Sequence, residues 1–400
     1  MKNRITAILL LTVISLVMMA GLAGCNSSTS TTSAQATTAS SPAATTIRTT
    51  ATTISSSPVA TSQTAASPAA TTRQISDMYG RTLTVPVNIT RVLASGPIEM
   101  ELVYLLAPDK LAGLSFTFNG TPALVPDKYS ALPVIGGWFG TQTGNYETFI
   151  AAKPDIILEG TEANIKDRQD KFGSIPVVGV AAGEKSTNYA DDALTGYEDE
   201  IRFLGDLLGV STQAETLITY YKDAMKYVTG IVSNIPDSAK IKVYYAEGKD
   251  GFSTDPVGSM HTRLLEFCGG LNVAQVTLKP GYGMADASME QILLWDPDMI
   301  IIGRGSQATL FKTILSDSRW SSLRAVKNKN VSIRPDNPLS WFDGPPGPCQ
   351  MVGMYWMVNK LYPDKTGGLD LKSKVKEFYS KFFHYDLTDA QITAVLANPG

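Results

Sequence analysis

Glu147-Thr-Phe-Ile-Ala-Ala-Lys-Pro154-Asp155-Ile-Ile-Leu-Glu-Gly160 and Glu290-Gln-Ile-Leu-Leu-Trp-Asp-Pro297-Asp298-Met-Ile-Ile-Ile-Gly303 are two copies of one pattern. Glu, Pro, Asp and Gly keep their offsets, and an apolar run separates Asp from Gly. Each copy reads as a short helix with an acid in its first turn, a proline that stops it, and a buried strand. Solenoid repeats recur every ~20–50 residues. Copies this far apart signal two similar lobes instead. Two lobes leave a cleft between them, and clefts at such boundaries are where small ligands sit.

Outward from the first copy, Ile75 to Pro86 reads as a hairpin around Gly80, and Arg91-Val-Leu-Ala as a strand. A helix from Pro97 to Leu106 follows, with proline in its first turn. Leu111-Ala-Gly-Leu and Leu132 to Gly136 read as further short strands. Asn145 suits the N-cap of the Glu147 helix, and Ile175 to Val180 closes the lobe. A helical face of Leu194, Tyr197, Ile201, Leu204 and Leu208 ends at Gly209. A second helix, with Ser211 as its expected cap and Leu217, Tyr221, Ala224, Val228 and Ile231 as its apolar stripe, connects the lobes. Beyond it come a strand at Lys240 to Ala246, a helix from His261 to Cys268 ended by Gly269-Gly270, the second copy capped by Ser288, a strand at Asn330 to Ile333 and a helix near Gln350 to Leu361. Strands alternating with helices imply a parallel or mostly parallel sheet in each lobe. The expected class is α/β: two similar α/β lobes joined by a single long helix, with a ligand groove between them. The expected divisions are 74–209 for the first lobe, 210–234 for the connecting helix and 235–400 for the second lobe.

The N-terminus is a targeting segment. Lys2 and Arg4 precede an apolar stretch from Ile5 to Ala20, and Leu22-Ala23-Gly24-Cys25 closes it. That ending looks like a bacterial lipoprotein lipobox, which implies residues 1–25 as signal peptide and lipidation of Cys25. Residues 26–73 are dominated by Ser, Thr and Ala and cannot bury enough apolar surface to fold. They read as a tether spanning roughly 35–40 Å, either an O-glycosylated stalk or an unmodified spacer.

Formal net charge is −3, from 34 basic and 37 acidic residues. No basic run occurs, which argues against nucleic-acid binding. Of three cysteines, Cys268 and Cys349 lie in the lobes and could form one disulfide outside the cytoplasm. No zinc-type Cys/His spacing occurs.

The lipobox, the tether and the duplicated Glu…Pro-Asp pattern resemble the substrate-binding proteins of ABC importers for iron complexes and cobalamin. Ile75-Ser-Asp-Met-Tyr-Gly-Arg and Leu264-Leu-Glu-Phe-Cys-Gly-Gly-Leu-Asn-Val-Ala add to the resemblance, which covers about residues 74 to 365. It implies a monomer on the extracytoplasmic face, held at the membrane by its lipid. It also implies a shallow, largely preformed groove, and delivery of a ferric siderophore, haem or corrinoid to an ABC permease whose ATPase is a separate chain. In this family one glutamate on each lobe docks on permease arginines. By position these are Glu147 and Glu290, although a carboxylate in a helix's first turn is also favoured by the dipole alone. Asp155 and Asp298 read as turn formers.

Large, flat complexes are bound by aromatic faces with a few orienting polar groups. Candidates in the first lobe are Phe116, Trp138 and Phe139, the last two in Gly-Gly-Trp-Phe-Gly. In the second lobe, Trp341 and Phe342 lie in the Pro/Gly-rich stretch Ser340 to Gly347, and Tyr245 ends a strand. Arg304 follows the strand of the second copy and could hold an anionic group bidentately. His261, one of two histidines, lies at the expected cleft edge and could be an axial metal ligand. No other metal ligand and no cofactor is expected. The competing classes are a surface adhesion or sensor protein on the same fold, binding of a different metal chelate, and an enzyme. The last has neither a Gly-x-Ser-x-Gly elbow nor a phosphate-binding glycine loop to support it.

Overall fold

The structure, a computed structural model, describes residues 70–181, 197–279, 284–303 and 307–397. The targeting segment, Cys25, most of the tether, Leu194 and Arg304 lie outside the described residues. The hairpin pairs β1 (Thr72–Ser76) with β2 (Thr82–Pro86), so the expected tether loses its last residues to a strand. The first lobe is built on a parallel sheet of β3 (Val92–Ala94), β4 (Ile156–Glu159) and β5 (Val177–Gly179), in that order. The second contains β6 (Lys242–Ala246), β7 (Ser253–Thr254), β8 (Leu271–Asn272), β9 (Ala285–Asp286), β10 (Met299–Ile302) and β11 (Val331–Ile333). Its parallel sheet has the order β11-β10-β6-β8, and β7 pairs antiparallel with β9. Two of the expected short strands are reduced to single bridges, Val92 with Leu111 and Leu114 with Val134.

The duplicated pattern does the same mechanical work twice. Asn145 accepts from the Thr148 amide and starts the helix Tyr146–Ala151. Ser288 and Gln291 form a reciprocal capping box that starts the helix Met289–Trp295. Each helix stops before its proline at a residue in the left-handed region, Lys153 (φ 50°) and Asp296 (φ 41°). Each aspartate then ties the start of its strand to the neighbouring one. Asp155 Oδ2 accepts from the Thr90 and Arg91 amides at 2.7 and 2.9 Å, and the Asp155 amide donates to the Arg91 carbonyl. Asp298 Oδ2 accepts from the Lys242 amide at 3.0 Å, and its own amide donates to the Lys242 carbonyl. The glycine that closes each copy leaves room for a neighbour. A Cβ on Gly160 would collide with the Glu99 carboxylate, and one on Gly303 with the Tyr245 ring.

The connecting helix, Ser211–Val232, has 22 residues and spans about 33 Å. Ser211 does not cap it. The N-cap is Val210 and the Ser211 hydroxyl donates to Asp206. Its stripe of Ala214, Leu217, Ile218, Tyr221, Ala224 and Val228 is buried. It packs on the helices Pro97–Leu106, Tyr197–Leu208 and Gln350–Leu361, so one apolar cluster runs from Val92 and Met100 in the first lobe to Trp341 and Trp356 in the second. Each fully buried large side chain in it contributes roughly 1.5–3 kcal/mol.

Cys268 and Cys349 are both free, buried thiols. The Cys268 thiol faces the Met354 carbonyl, while Cys349 lies beside Glu101. The disulfide that their presence in the lobes allowed is not formed.

Asp155→Ala and Asp298→Ala are both expected to destabilise the fold, by about 1–3 kcal/mol in urea unfolding. The Asp155 change is expected to cost more because three donors lose their acceptor. Burial alone would raise the Asp155 pKa, but the hydrogen bonds from Thr90 and Arg91 outweigh it and hold the group below its ordinary value. Its contribution is therefore complete above the unfolded pKa of about 4 and disappears as pH falls through the lower folded value. Unchanged unfolding midpoints in both variants at pH 7 would rule out this role.

Candidate functional site

In open parallel sheets, ligands lie outside the carboxyl ends of the strands. In the first lobe those ends are Ser95-Gly96 after β3, Glu159-Gly160 after β4 and Val180 after β5. Ser115 donates to the Gly96 carbonyl and the Trp138 amide donates to the Ser95 carbonyl, which brings the 115–118 and 137–139 loops to the same edge. In the second lobe the ends are Glu247 after β6, Gly303 after β10 and Arg334 after β11, with the 340–347 loop beside them. The two edges are stitched at one side. The Asn119 amide donates to the Pro338 carbonyl, the Leu124 amide to Asn337 Oδ1, and Asn337 Nδ2 to the Pro122 carbonyl. Beside this seam lies an open cavity of about 500 Å³, lined from the first lobe by Thr121, Pro122 and Leu124 and from the second by Arg334 and Asp336.

The aromatic candidates divide by burial. Phe116 and Phe139 are half-buried and meet edge to face with ring centroids 6.4 Å apart. Trp138 is half-buried too, but it belongs to the first lobe's inner cluster. Its ring packs on Tyr146 and Phe149 at 4.8 and 5.1 Å, and the Arg168 guanidinium lies 4.0 Å from the ring centre. Arg168 in turn pairs with Glu159 at 3.3 Å.

Trp341, Phe342 and Tyr245 are completely buried, which corrects their expected place on an open groove wall. The Pro/Gly-rich loop folds inward. The Trp341 amide donates to the Pro335 carbonyl and the Gln350 side chain to the Phe342 carbonyl at 2.6 Å. Gly353 admits the loop, since a Cβ there would run into the Trp341 carbonyl. Trp341 packs against Tyr379, and Phe342 against Tyr245 at 4.8 Å.

His261, expected at the cleft edge, meets two aspartates that the sequence reading passed over, Asp255 and Asp343. His261 is 9% exposed, and its Nδ1 contacts Asp343 Oδ1. Asp343 and Asp255 are fully buried. Tyr245 donates to Asp343 Oδ2 at 3.2 Å, and Ser259 donates to Asp255 Oδ1 at 2.7 Å. One donor atom from each of Asp255, His261 and Asp343 lies within 4.8 Å of the other two. Asp343 sits in a stretch read for its aromatics, and nothing in the spacing joins it to Asp255.

Glu147 and Glu290 are both exposed in the first turns of their helices. Glu290 is held below its ordinary pKa by its own backbone amide and by Ser288. Exposed apolar residues accompany both acids: Ile150 at 43%, Leu293 at 41% and Leu294 at 84%.

Residues 120–338, more than half of the chain, match the family described as periplasmic binding protein. An ABC transporter solute-binding protein from Sulfurospirillum deleyianum is 30% identical and superposes with a TM-score of 0.71 over 81% of this chain and 98% of its own. A periplasmic solute-binding protein from Veillonella parvula is 26% identical, with a TM-score of 0.66 over 81% and 96%. The molybdate-binding protein MolA of Haemophilus influenzae is 25% identical over 333 residues, 78% of this chain and 91% of MolA.

Trp341→Ala is expected to lower the unfolding free energy by about 3–5 kcal/mol, the cost of a large buried aromatic. Phe139→Ala should cost about 1 kcal/mol or less. Denaturant curves for the two variants check this ranking, and equal midpoints would show that Trp341 does not fill the core.

Proposed function

Because the chain belongs to the periplasmic binding protein family, as an extracytoplasmic substrate-binding protein of an ABC transporter, we propose that it captures a compact metal complex in the groove and presents it to its permease while lipidated at Cys25. The observation that carries the cargo reading is the burial of Trp341, Phe342 and Tyr245 beneath a polar cluster. A flat macrocycle needs open aromatic faces, and only Phe116 and Phe139 offer any among the described candidates. Compact ferric chelates are therefore favoured over haem and corrinoids. The relationship to MolA favours a second reading, a metal oxyanion such as molybdate.

Docking uses Glu147 and Glu290. They stand at matching places of the two repeats, each beside exposed apolar side chains, and exposed apolar patches with polar rims mark interaction surfaces. Rim charges of this kind orient a partner more than they bind it. The protein acts as a monomer, one copy spanning the permease entrance with both lobes.

Charge reversal at both sites, Glu147→Arg with Glu290→Arg, is expected to reduce uptake into cells at least ~10-fold while leaving cargo affinity within about twofold in calorimetry. Unimpaired uptake by the double variant would remove the docking role. Titration of the purified protein with ferric siderophores, molybdate, haem and cobalamin ranks the cargo classes, and preference for haem or cobalamin would overturn the compact-complex reading. Cys25→Ser is expected to move the protein from the membrane fraction to the soluble one. Retention on the membrane would remove the lipid anchor.

A further inference from the structure

We propose that Asp255, His261 and Asp343 bind one divalent first-row transition-metal ion directly, on the second lobe's wall of the groove. This deepens the proposed function. It makes ligating side chains, and not aromatic faces, the element that recognises the metal.

The three side chains lie close enough together to share one ion. Oxygen and nitrogen ligands sit about 2.0–2.2 Å from such an ion, which puts neighbouring ligand atoms roughly 3–4 Å apart. One donor from each of the three residues already lies within 4.8 Å of the others. Among the described residues no other group of three His, Cys, Asp or Glu side chains meets this spacing. The donors come from three separate segments: the stretch after β7, the turn Met260–Thr262 and the loop after β11.

Each ligand is held by a second layer of hydrogen bonds. The Ser259 hydroxyl donates to Asp255 Oδ1 at 2.7 Å and accepts from the His261 amide at 3.2 Å, so one side chain positions two ligands. Asn272 Nδ2 donates to the Asp255 carbonyl at 3.0 Å. Tyr245 donates to Asp343 Oδ2, and the Asp343 amide donates to Ser340 Oγ at 3.1 Å. Such outer partners orient ligands and raise their basicity. Both carboxylates are enclosed, while His261 is 9% exposed.

The donor set selects the ion class. Two carboxylates beside an imidazole are a donor set suited to a divalent cation. With no thiolate in the group, manganese, iron, cobalt, nickel and zinc fit better than copper(I). Three protein ligands also leave coordination positions open for water or for the donor atoms of a chelate. The competing account is a plain His261–Asp343 ion pair with Asp255 as its neighbour, and it predicts no metal affinity.

The test uses the purified full chain, stripped with a chelator and titrated calorimetrically with Mn(II), Co(II), Ni(II) and Zn(II). Native mass spectrometry gives the stoichiometry, and visible absorption of the Co(II) form reports ligation. The expected result is one ion per chain with a Kd of about 1 μM or tighter for at least one metal. Asp255→Asn and His261→Gln should weaken it at least ~100-fold, and Ser259→Ala, which touches no metal, by about 10-fold. Bound metal should raise the melting temperature of the wild type and leave Asp255→Asn unmoved. Asn and Gln preserve side-chain shape, and metal-free melting curves show that each variant is folded. Absence of saturable binding up to about 100 μM for all four metals, or wild-type affinity in folded Asp255→Asn, overturns the site. Neither readout involves the permease or a chelate. Chelate capture without bare-metal binding would sink this site and leave the transport reading intact. Metal binding without capture of any chelate or oxyanion would keep the site and overturn the metal-complex cargo.

Discussion

The helix Ser211–Val232 must bury one stripe against helices of both lobes at once, and the rest of the architecture follows from that. Tyr220 packs on Tyr355 of the second lobe, and the same helix meets the helix Pro97–Leu106 of the first. With both lobes fastened to the same rod, the carboxyl ends of β3–β5 and of β6, β10 and β11 come to a common line. The seam around Asn337 holds that line from one side. The groove is therefore a product of core packing, and its walls are as well defined as the core itself.

Polar groups at the lobe junction show how strongly this region excludes water. Glu101 and Glu200 are wholly buried, and desolvation pushes both far above the ordinary carboxylate pKa, with Glu99 adding repulsion. Burial also pushes the nearby Cys349 thiol up, and the Glu101 carboxyl adds to it. An ionised carboxylate buried without a partner costs several kcal/mol, and the side-chain oxygens of Glu101 and Glu200 are all buried without a hydrogen-bond partner.

Much of this was legible in the residues. The repeat carried its own structural logic: a cap, a first-turn acid and a proline stop, each a local effect readable within a few positions, followed by an aspartate whose partners lie on a strand distant in sequence. Asn145 and Ser288 cap their helices as their chemistry dictates, whereas Asp155 and Asp298, read as turn formers, bind the start of the adjacent strand. The stripe from Leu217 to Val228 announced the connecting helix. What local reading could not supply was direction. Trp341 and Phe342 lie in a glycine- and proline-rich stretch, a composition that signals a surface loop, yet Gly353 on a later helix opens the space into which that loop turns. The Asp255–His261–Asp343 group has the same origin, since its members meet only after the second sheet has formed. Ser211 bonds Asp206 instead of capping the helix, and Cys268 and Cys349 remain separate buried thiols.

A molecule whose halves share one core has little capacity to signal by changing shape. In a hinged receptor, closure itself announces that cargo is aboard. Here the exposed ends of the two repeat helices stand on lobes that share one apolar cluster and one connecting rod. A partner that grips those ends reads a ruler and learns nothing of the contents. Occupancy has to be sensed in the groove itself, by a part of the partner that reaches between the two grips and meets either the cargo or an empty wall.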